Sequence, residues 1–210
     1  MIELDVRNDE AYALAEQWYD EVVFTKVVSL EKSPDYAALN EELSELRTKY
    51  KHVALLVITK KPSLIRELKN RKLRALLYVQ GGNLKINRAA LEAKVDALIS
   101  PELGRRDSGM DHILARMAAR NDVAIGFSFS PLLRANPYER ANMLRLMMRN
   151  WRLIEKYRAP RFLTSSAESI WEVRAPRDLM SFGIALGMEL PQAKASLTFF
   201  PQKILKKIKN

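Results

Sequence analysis

Short apolar or β-branched runs alternate along the chain with longer segments of helical spacing. Some short runs are apolar at every position, as in Val53–Ile58, which is typical of parallel strands buried under helices. Their starts lie about 20–40 residues apart, the length of a βα unit. The pattern predicts seven strands: Ile2–Asp5, Val22–Leu30, Val53–Ile58, Ala75–Val79, Ala97–Ser100, Val123–Ser128 and Phe162–Ser165.

Residues with helix-starting chemistry stand between these runs. Asn, Asp and Ser accept hydrogen bonds from the free N–H groups of a first turn, and proline is tolerated there because its missing N–H would be unpaired. Gly187 is a candidate C-terminal cap for a helix that begins near Pro176. The predicted starts are Asp9, Ser33-Pro34 before Asp35–Lys49, Asn87, and Asn136-Pro137 before the longest helix, Pro137–Tyr157.

The order of these elements allows a closed barrel or an open doubly wound sheet. An open nucleotide-binding sheet usually carries a Gly-x-Gly-x-x-Gly or P-loop signature, and this chain has neither, since Gly81-Gly82 is only a turn signal. We therefore predict an α/β fold, a single-domain TIM-barrel-like (β/α) barrel of about seven strands ringed by helices. The barrel is expected to span residues 1–203, and residues 204–210 to form a basic C-terminal tail, which is expected to fray from Leu205 to Asn210.

The positive charge is concentrated in one half of the sequence. Residues 101–210 carry 19 Lys and Arg against 10 Asp and Glu, whereas residues 1–100 carry 16 against 15. Thirteen of those 19 cations are arginines, whose planar fork of donors fits phosphate. This balance favours nucleic acid or an anionic membrane as the partner. The apolar runs are too short to cross a membrane and the first residues lack a secretory pattern, so we expect a cytoplasmic protein.

The segment after the fifth predicted strand is a candidate anion site. It leads into a helix, with Asp107 or Ser108 as the expected cap. Loops that follow the strands of a parallel barrel share one rim, where ligand sites gather. Arg105 and Arg106 beside a helix N-terminus would bind an anion, because free N–H groups add to the two cations. The alternative is an internal salt bridge with Asp107 or Asp111.

The segment after the seventh predicted strand carries hydroxyls, an aromatic side chain and two arginines. Trp171, Arg174 and Arg177 follow the strand end, and this combination suits sugar–phosphate contacts and base stacking. The alternative is a capped loop in which Arg177 pairs with Asp178.

The longest predicted helix has two distinct faces. Arg145, Arg149 and Arg152 share one side, which is either a solvated face or a surface for phosphates or for an acidic helix of a partner. Spacings of three and four predict a core face made of Leu144, Met147, Met148, Trp151 and Ile154.

Histidine and cysteine are too scarce for most hydrolytic chemistry. A metal-dependent hydrolase barrel needs clustered His and Asp, but the first strand region has no His-x-His, and the absence of cysteine excludes thiolate metal sites and disulfides. His52, at a strand start, is expected to be structural. Asp111 is a poor orienting partner for His112, because neighbours on a helix point about 100° apart. No Gly-x-Ser-x-Gly elbow occurs. We predict no catalytic and no metal-binding residues.

Six segments form an ordered set: Arg106–Leu114, Gly126–Ser128, Asn136–Asn142, Phe162–Ala167, Val173–Leu179 and Gly187–Ser196. Together they resemble the protein-component-3 family of archaeal ribonuclease P, which is related to the thirty-kilodalton protein subunit of the eukaryotic enzyme. The resemblance runs over nearly the whole chain and is densest from residue 97 to residue 205. No single motif decides it, but six in order are specific.

This resemblance implies a barrel similar to the metal-dependent PHP phosphoesterases but without their metal ligands. It implies that an RNA subunit, which requires Mg²⁺, frees the mature 5′ end of precursor tRNA, while the protein stabilises that RNA and binds no cofactor. The implied partners are RNase P RNA, the small ferredoxin-like protein component 2 in a heterotetramer, other RNase P proteins and, through the complex, precursor tRNA. A PHP-type phosphoesterase and a protein-interaction scaffold without direct RNA contact are the alternatives.

The resemblance also assigns RNA binding to basic residues in or near the matched segments. Asp107, Asp111 and Asp178 are expected to organise these arginines without touching RNA. The surroundings of Lys85, Arg88 and Arg120 match less clearly. The assigned residues are Arg105, Arg106, His112, Arg174, Arg177, Lys194, Arg88, Lys85 and Arg120.

Overall fold

The computed structural model describes residues 1–71 and 73–209. Within them, seven parallel strands follow one another around a sheet in chain order. The strands are β1 (Ile2–Val6), β2 (Glu21–Leu30), β3 (His52–Thr59), β4 (Leu76–Gln80), β5 (Ala97–Ile99), β6 (Ala124–Ser128) and β7 (Arg161–Thr164). Each boundary lies within one residue of the prediction, so the expected seven-stranded TIM-barrel-like fold is confirmed.

Helices link successive strands and surround the sheet. In the described residues they are α1 (Asp9–Ala15), α2 (Tyr36–Lys49), α3 (Pro62–Asn70), α4 (Leu84–Glu92), α5 (His112–Asn121), α6 (Ser130–Arg134), α7 (Pro137–Tyr157), α8 (Pro176–Ala185), α9 (Leu190–Ala195) and α10 (Phe199–Leu205). Short 3-10 turns occupy Ile170–Glu172 and Lys206–Lys209. Because all strands are parallel, the loops after them share one end of the barrel, the upper end, and the strands begin at the lower end.

The seam between β1 and β7 is closed mainly without strand pairing. In the described residues, a single bridge joins Val6 to Ala167 near the upper end. Below it, the buried Glu3 carboxylate accepts hydrogen bonds from the Thr164 hydroxyl and from the Ser165 N–H at 3.1 Å. Burial raises the pKa of Glu3 to about 7. The barrel is therefore nearly closed.

Lower on the same seam, the chain after α9 occupies the gap between the two strands. The Ser196 carbonyl accepts from the β7 residue Leu163 at 3.2 Å, and the Leu197 carbonyl accepts from Ile2 of β1 at 2.8 Å. This insertion satisfies edge groups of both strands that would otherwise lack partners.

A separate apolar core fills the barrel and is closed from below by the C-terminal helix. Ile204 and Leu205 of α10 are buried there, so the expectation that the tail frays from Leu205 is wrong for its described part. Lys207 continues this anchoring through a 3.2 Å ion pair with Asp122. The strand residues of this inner core are Ile2, Leu4, Val23, Ala54, Leu56, Leu76, Tyr78, Ala97, Ile99, Ala124 and Phe162.

Helix α7 is where sequence and structure agree most closely. Asn136 and Glu139 form a capping box, in which each side chain accepts a backbone N–H of the other residue. The predicted apolar stripe packs inward, with Trp151 and Ile154 fully buried. The capping prediction for Gly187 is consistent with the structure, since it follows α8 at φ +98°.

Four predicted helix starts were wrong by a few residues. Asp35 caps α2, so Ser33 and Pro34 lie before the helix and not at its start. Asn8 caps α1 in place of Asp9, and Asn83 caps α4 in place of Asn87. Asp111 caps α5 in place of Asp107 or Ser108, accepting from the N–H groups two and three residues on, at 2.9 and 2.8 Å. In each case several Asn, Asp or Ser residues stand close together, and local propensity does not choose among them.

Candidate nucleic-acid interface

The loop between β5 and α5 is attached firmly to its neighbour α4. The Asn87 side chain is fully buried and donates to the carbonyls of Pro101 and Gly109, both at 2.9 Å. Gly109 has φ +66°, and a Cβ there would lie 2.0 Å from the Pro101 oxygen, so only glycine fits. Asn87, the residue mistaken for a helix cap, therefore determines the shape of the candidate loop.

Helix α7 holds the same loop from its other side. The buried Asn150 amide donates to a Glu102 carboxylate oxygen at 2.9 Å and to the Ser108 carbonyl at 2.8 Å. Glu102 is 1% exposed, and burial raises its pKa to about 7. The loop is thus a packed part of the barrel, which positions its arginines with little conformational freedom.

Of the two arginines predicted there, one is paired and one is exposed. Arg105 forms two hydrogen bonds with Asp107, at 2.7 and 2.8 Å, which is the internal salt bridge considered as the alternative. The pKa of Asp107 is lowered to about 2, mainly by these two bonds and by a hydrogen bond from the Gly109 N–H. The nearby charge of Arg149 contributes as well. Arg106 is exposed and forms no ion pair within residues 1–71 and 73–209.

Other predicted RNA-binding residues surround this loop. His112 is the exposed first residue of α5. Lys85 and Arg88 are exposed on α4, on either side of the buried Asn87, and Arg88 pairs with Glu92 at 3.1 Å. Because Asn87 joins α4 to the β5–α5 loop, five predicted residues lie on these two adjoining segments and at the start of α5: Lys85, Arg88, Arg105, Arg106 and His112.

The β7–α8 loop contributes a second part of the upper end. Arg174 donates to the carbonyls of Trp171 and Val173, at 2.9 and 2.8 Å, and stacks over the Phe129 ring at 5.1 Å. Arg177 is exposed, and the pairing with Asp178 considered as an alternative does not occur among the described residues. Arg174 thus shapes the loop while Trp171, 81% exposed, and Arg177 face solvent.

Two predicted residues lie apart from these loops. Arg120 is exposed in the last turn of α5, toward the lower end of the barrel, and Lys194 is exposed on α9, next to the seam insertion. The three arginines of α7 are all exposed. Since Arg149 is near Asp107, the α7 face adjoins the β5–α5 loop and is not a separate surface.

A charged network at the mouth of the barrel had no counterpart in the sequence analysis. Arg7 pairs with the buried Asp5 at 2.7 Å and with Glu168 at 3.1 Å. Arg134 pairs with Glu168 at 2.8 Å and with Glu172 at 2.6 Å. Arg7, Arg134 and Glu168 border a cavity of about 820 Å³. Asp5 stands two residues before Arg7, but the other pairs join segments that are distant in the chain, so no local spacing indicates the network.

The described part of the chain has neither metal-ligand geometry nor a membrane-spanning helix. No group of three or more His, Asp or Glu side chains is placed there to hold a metal ion. None of the helices described is both long and apolar enough to cross a bilayer.

Comparisons with known proteins place this geometry in context. The sequence profile of the family described as RNase P subunit p30 matches residues 7–210. Ribonuclease P protein component 3 of Thermococcus kodakarensis is 65% identical over 207 residues, which cover 99% of this chain and 94% of that protein. The corresponding protein of Thermococcus gammatolerans is 64% identical, covering 99% and 97%. A chain in a cryo-EM structure of archaeal ribonuclease P with mature tRNA superposes with a TM-score of 0.79 at 30% identity, covering 100% of this chain and 91% of that one.

Proposed function

The chain belongs to the RNase P subunit p30 family, and from that premise we propose that it binds and stabilises the RNA subunit of ribonuclease P for 5′ maturation of precursor tRNA. The observation that carries this proposal is the full-length structural match to a chain within an RNase P complex that contains tRNA. In this proposal the RNA and its Mg²⁺ perform the cleavage, and the protein has no catalytic residue of its own.

The upper end supplies the phosphate contacts in this proposal. Arg106, His112 and Arg177 are exposed and reach RNA directly, with Lys85 and Arg88 extending the surface along α4. Arg105 and Arg174 hold the two loops through their bonds to Asp107 and to backbone carbonyls, and present their remaining N–H groups to RNA. Lys194 and Arg120 provide peripheral contacts.

The protein partner is proposed to be the small ferredoxin-like component 2, within an assembly that includes other RNase P proteins. The exposed arginines of α7, Arg145, Arg149 and Arg152, form a row that an acidic helix could match. Reversal of Arg145 and Arg152 to glutamate should abolish co-purification of component 2. Retained pairing would contradict this assignment.

Reconstitution tests the function. RNase P RNA, the other protein subunits and Mg²⁺ are assayed for release of the 5′ leader from precursor tRNA, with and without this chain. We expect the chain to raise the cleavage rate and to release no leader when incubated alone with precursor tRNA. Cleavage by the chain alone would favour the phosphoesterase alternative, and an unchanged rate would contradict the proposal.

A binding assay tests the site. Arg106→Ala with Arg177→Ala removes two cations that the structure leaves exposed. We expect the affinity for RNase P RNA to fall about tenfold and the slope of log K against log salt concentration to flatten by roughly 1.4–1.8. Lys32→Ala with Lys60→Ala is the matched control, because it removes two exposed cations of the same end, in the loops after β2 and β3, that are not among the predicted RNA-binding residues. Equal effects of the two double variants would refute the site.

A further inference from the structure

The lower end of the barrel contains a groove that none of the predicted residues lines. Two adjoining cavities of about 630 and 260 Å³ share Arg47 and Arg74 as walls. The groove lies where β4 and β5 begin, at the opposite end of the barrel from the β5–α5 and β7–α8 loops. We call it the lower groove and define it by Arg47, Lys69, Arg71, Arg74 and Lys207.

Four separate segments bring these cations together. Arg47 lies in the last turn of α2 and Lys69 in the last turn of α3. Arg71 and Arg74 lie between α3 and β4, and Lys207 belongs to the C-terminal 3-10 turn. Cations at helix C-termini are favoured by the helix dipole, which accounts for Arg47 and Lys69 singly. The dipole does not account for the convergence of four segments on one concavity.

The charge of the lower groove is only partly neutralised. Lys69 contacts Asp96 at 3.3 Å, while Asp122 is shared between Lys207 and Lys203. Arg71 stacks on the Tyr36 ring at 4.4 Å and lies near Glu67. Arg47 and Arg74 are exposed and form no ion pair in residues 1–71 and 73–209. With Lys203 the groove and its border hold six cations, and the carboxylates near them are the three of Glu67, Asp96 and Asp122. The surplus is therefore three positive charges.

The floor of the groove argues against a protein as its occupant. Leu68, Leu76 and Leu77 are each less than 5% exposed. The other apolar lining residues, Leu73, Ala75 and Ile208, are partly buried, so docking would bury only a small apolar surface. None of the large apolar side chains found exposed in the described residues lines the groove. Protein interfaces depend on apolar and aromatic anchors, whereas a phosphate backbone is bound by cations with free donors.

We propose that the lower groove binds the sugar–phosphate backbone of RNA, as a second contact separate from the upper loops. The proposal rests on the proposed RNA-binding function and extends it to the opposite end of the barrel. Arg47 and Arg74, with their donors free of carboxylates, make the principal phosphate contacts, and Lys69 and Lys207 lie at their sides.

Charge removal in the full-length chain tests the proposal. Arg47→Ala with Arg74→Ala is compared with the control Lys32→Ala with Lys60→Ala in binding to RNase P RNA. We expect about tenfold weaker binding than wild type and a salt slope flatter by roughly 1.4–1.8, with a smaller change in the control. Equal changes in the groove variant and the control would overturn the proposal.

Lysine footprinting on the wild-type chain gives a second measurement that does not depend on how a variant folds. RNA should protect Lys69 and Lys207 from acylation and leave Lys32 and Lys60 reactive. Unprotected groove lysines in an RNA complex would overturn the proposal, as would a groove variant that binds RNA normally but loses a protein partner.

These outcomes separate the groove from the function itself. If wild type binds no RNA, the proposed function fails. If Arg106→Ala with Arg177→Ala weakens binding while the groove variant does not, the function stands and the groove proposal fails.

Discussion

The two ends of this barrel both carry arginines, but they pair them differently. At the upper end Arg7, Arg105 and Arg134 form ion pairs with carboxylates and Arg174 is bound to backbone carbonyls, which leaves Arg106 and Arg177 without an ion pair among the described residues. In the lower groove Arg47 and Arg74 have no ion-pair partner among the described residues. A count of cations therefore does not measure the charge available to a ligand, because pairing within the fold neutralises part of it.

The ends also differ in what they bury. The upper half encloses the carboxyl groups of Glu3, Asp5 and Glu102. The lower half encloses one carboxylate, Asp96, which accepts from the Leu77 N–H at 2.8 Å, and the guanidinium of Arg161, which is stacked between Trp151 and Phe200 at 4.7 and 4.6 Å. Burial lowers the pKa of Arg161 and raises the pKa of Glu102, because it disfavours the charged form of each. Between about pH 7 and pH 4.5, protonation of buried groups should therefore change the charge mainly of the upper half, where Glu3 and Glu102 lie.

The largest expected effect is on the pH dependence of stability. Glu102 has a pKa of 4.5 when unfolded and about 7 when folded. Below the lower value this group costs no stability. As the pH rises from 4.5 to about 7, the Glu102 carboxyl loses its proton in the unfolded chain but retains it in the folded protein. The free energy of unfolding therefore falls by about 3 kcal/mol over this range. Glu102→Gln should remove that loss.

The measurement is urea unfolding of wild type and Glu102→Gln at pH 5 and pH 8. The variant should lose less stability between the two values, and Glu3, whose pKa is also about 7, should account for much of what remains. Glu45→Gln, an exposed carboxylate of α2, is the control. Equal pH dependence in wild type and Glu102→Gln would contradict the description of the upper end.

A combined variant tests whether the two ends act independently on RNA. Joining Arg106→Ala and Arg177→Ala to Arg47→Ala and Arg74→Ala should weaken binding about a hundredfold, near 2.7 kcal/mol, because distant sites add. Filter binding at several salt concentrations measures this loss. A combined loss no larger than that of either pair would show that the ends do not contribute separately.

The smallest expected effect is a gain in binding. Asp107→Asn removes the charge that neutralises Arg105, yet its remaining side-chain oxygen can still accept the Gly109 N–H. RNA affinity should rise by about two- to fivefold, since an exposed ion pair contributes modestly. The salt slope should steepen by roughly 0.7–0.9. Asp178→Asn, at the other upper loop, is the comparison, since Asp178 forms no ion pair in the described residues. Unchanged affinity in Asp107→Asn would mean that Arg105 is not available to RNA.

Much of the fold follows from local patterns. Seven apolar runs give seven strands, and Asn136 with Pro137 and Glu139 determines the start of α7, because apolar periodicity and capping act over a few residues. Where neighbouring residues offered alternative caps, as at Asp107 and Asp111, the prediction was wrong. The residues that fix the candidate loop, Asn87 and Asn150, act through contacts with distant segments.

The available charge was the least predictable property. The sequence assigns the positive surplus to residues 101–210, yet Arg47, Lys69, Arg71 and Arg74 of the lower groove come from the nearly neutral first half. Arg7 and Arg134 find carboxylate partners that lie far from them in the chain or across a loop. Neither result is visible in a local window, because ion pairing depends on distance in space.

The sequence by itself determined the order and bounds of the strands, the apolar face of α7, and a family resemblance that the comparisons confirm. Those properties depend on short-range periodicity and on matched segments. Only the tertiary structure decided which arginines are paired, how the seam between β1 and β7 is closed, and that four segments form a basic groove at the lower end. Closing the barrel brings residues such as Glu3 and Thr164 together, and electrostatic pairing follows that proximity.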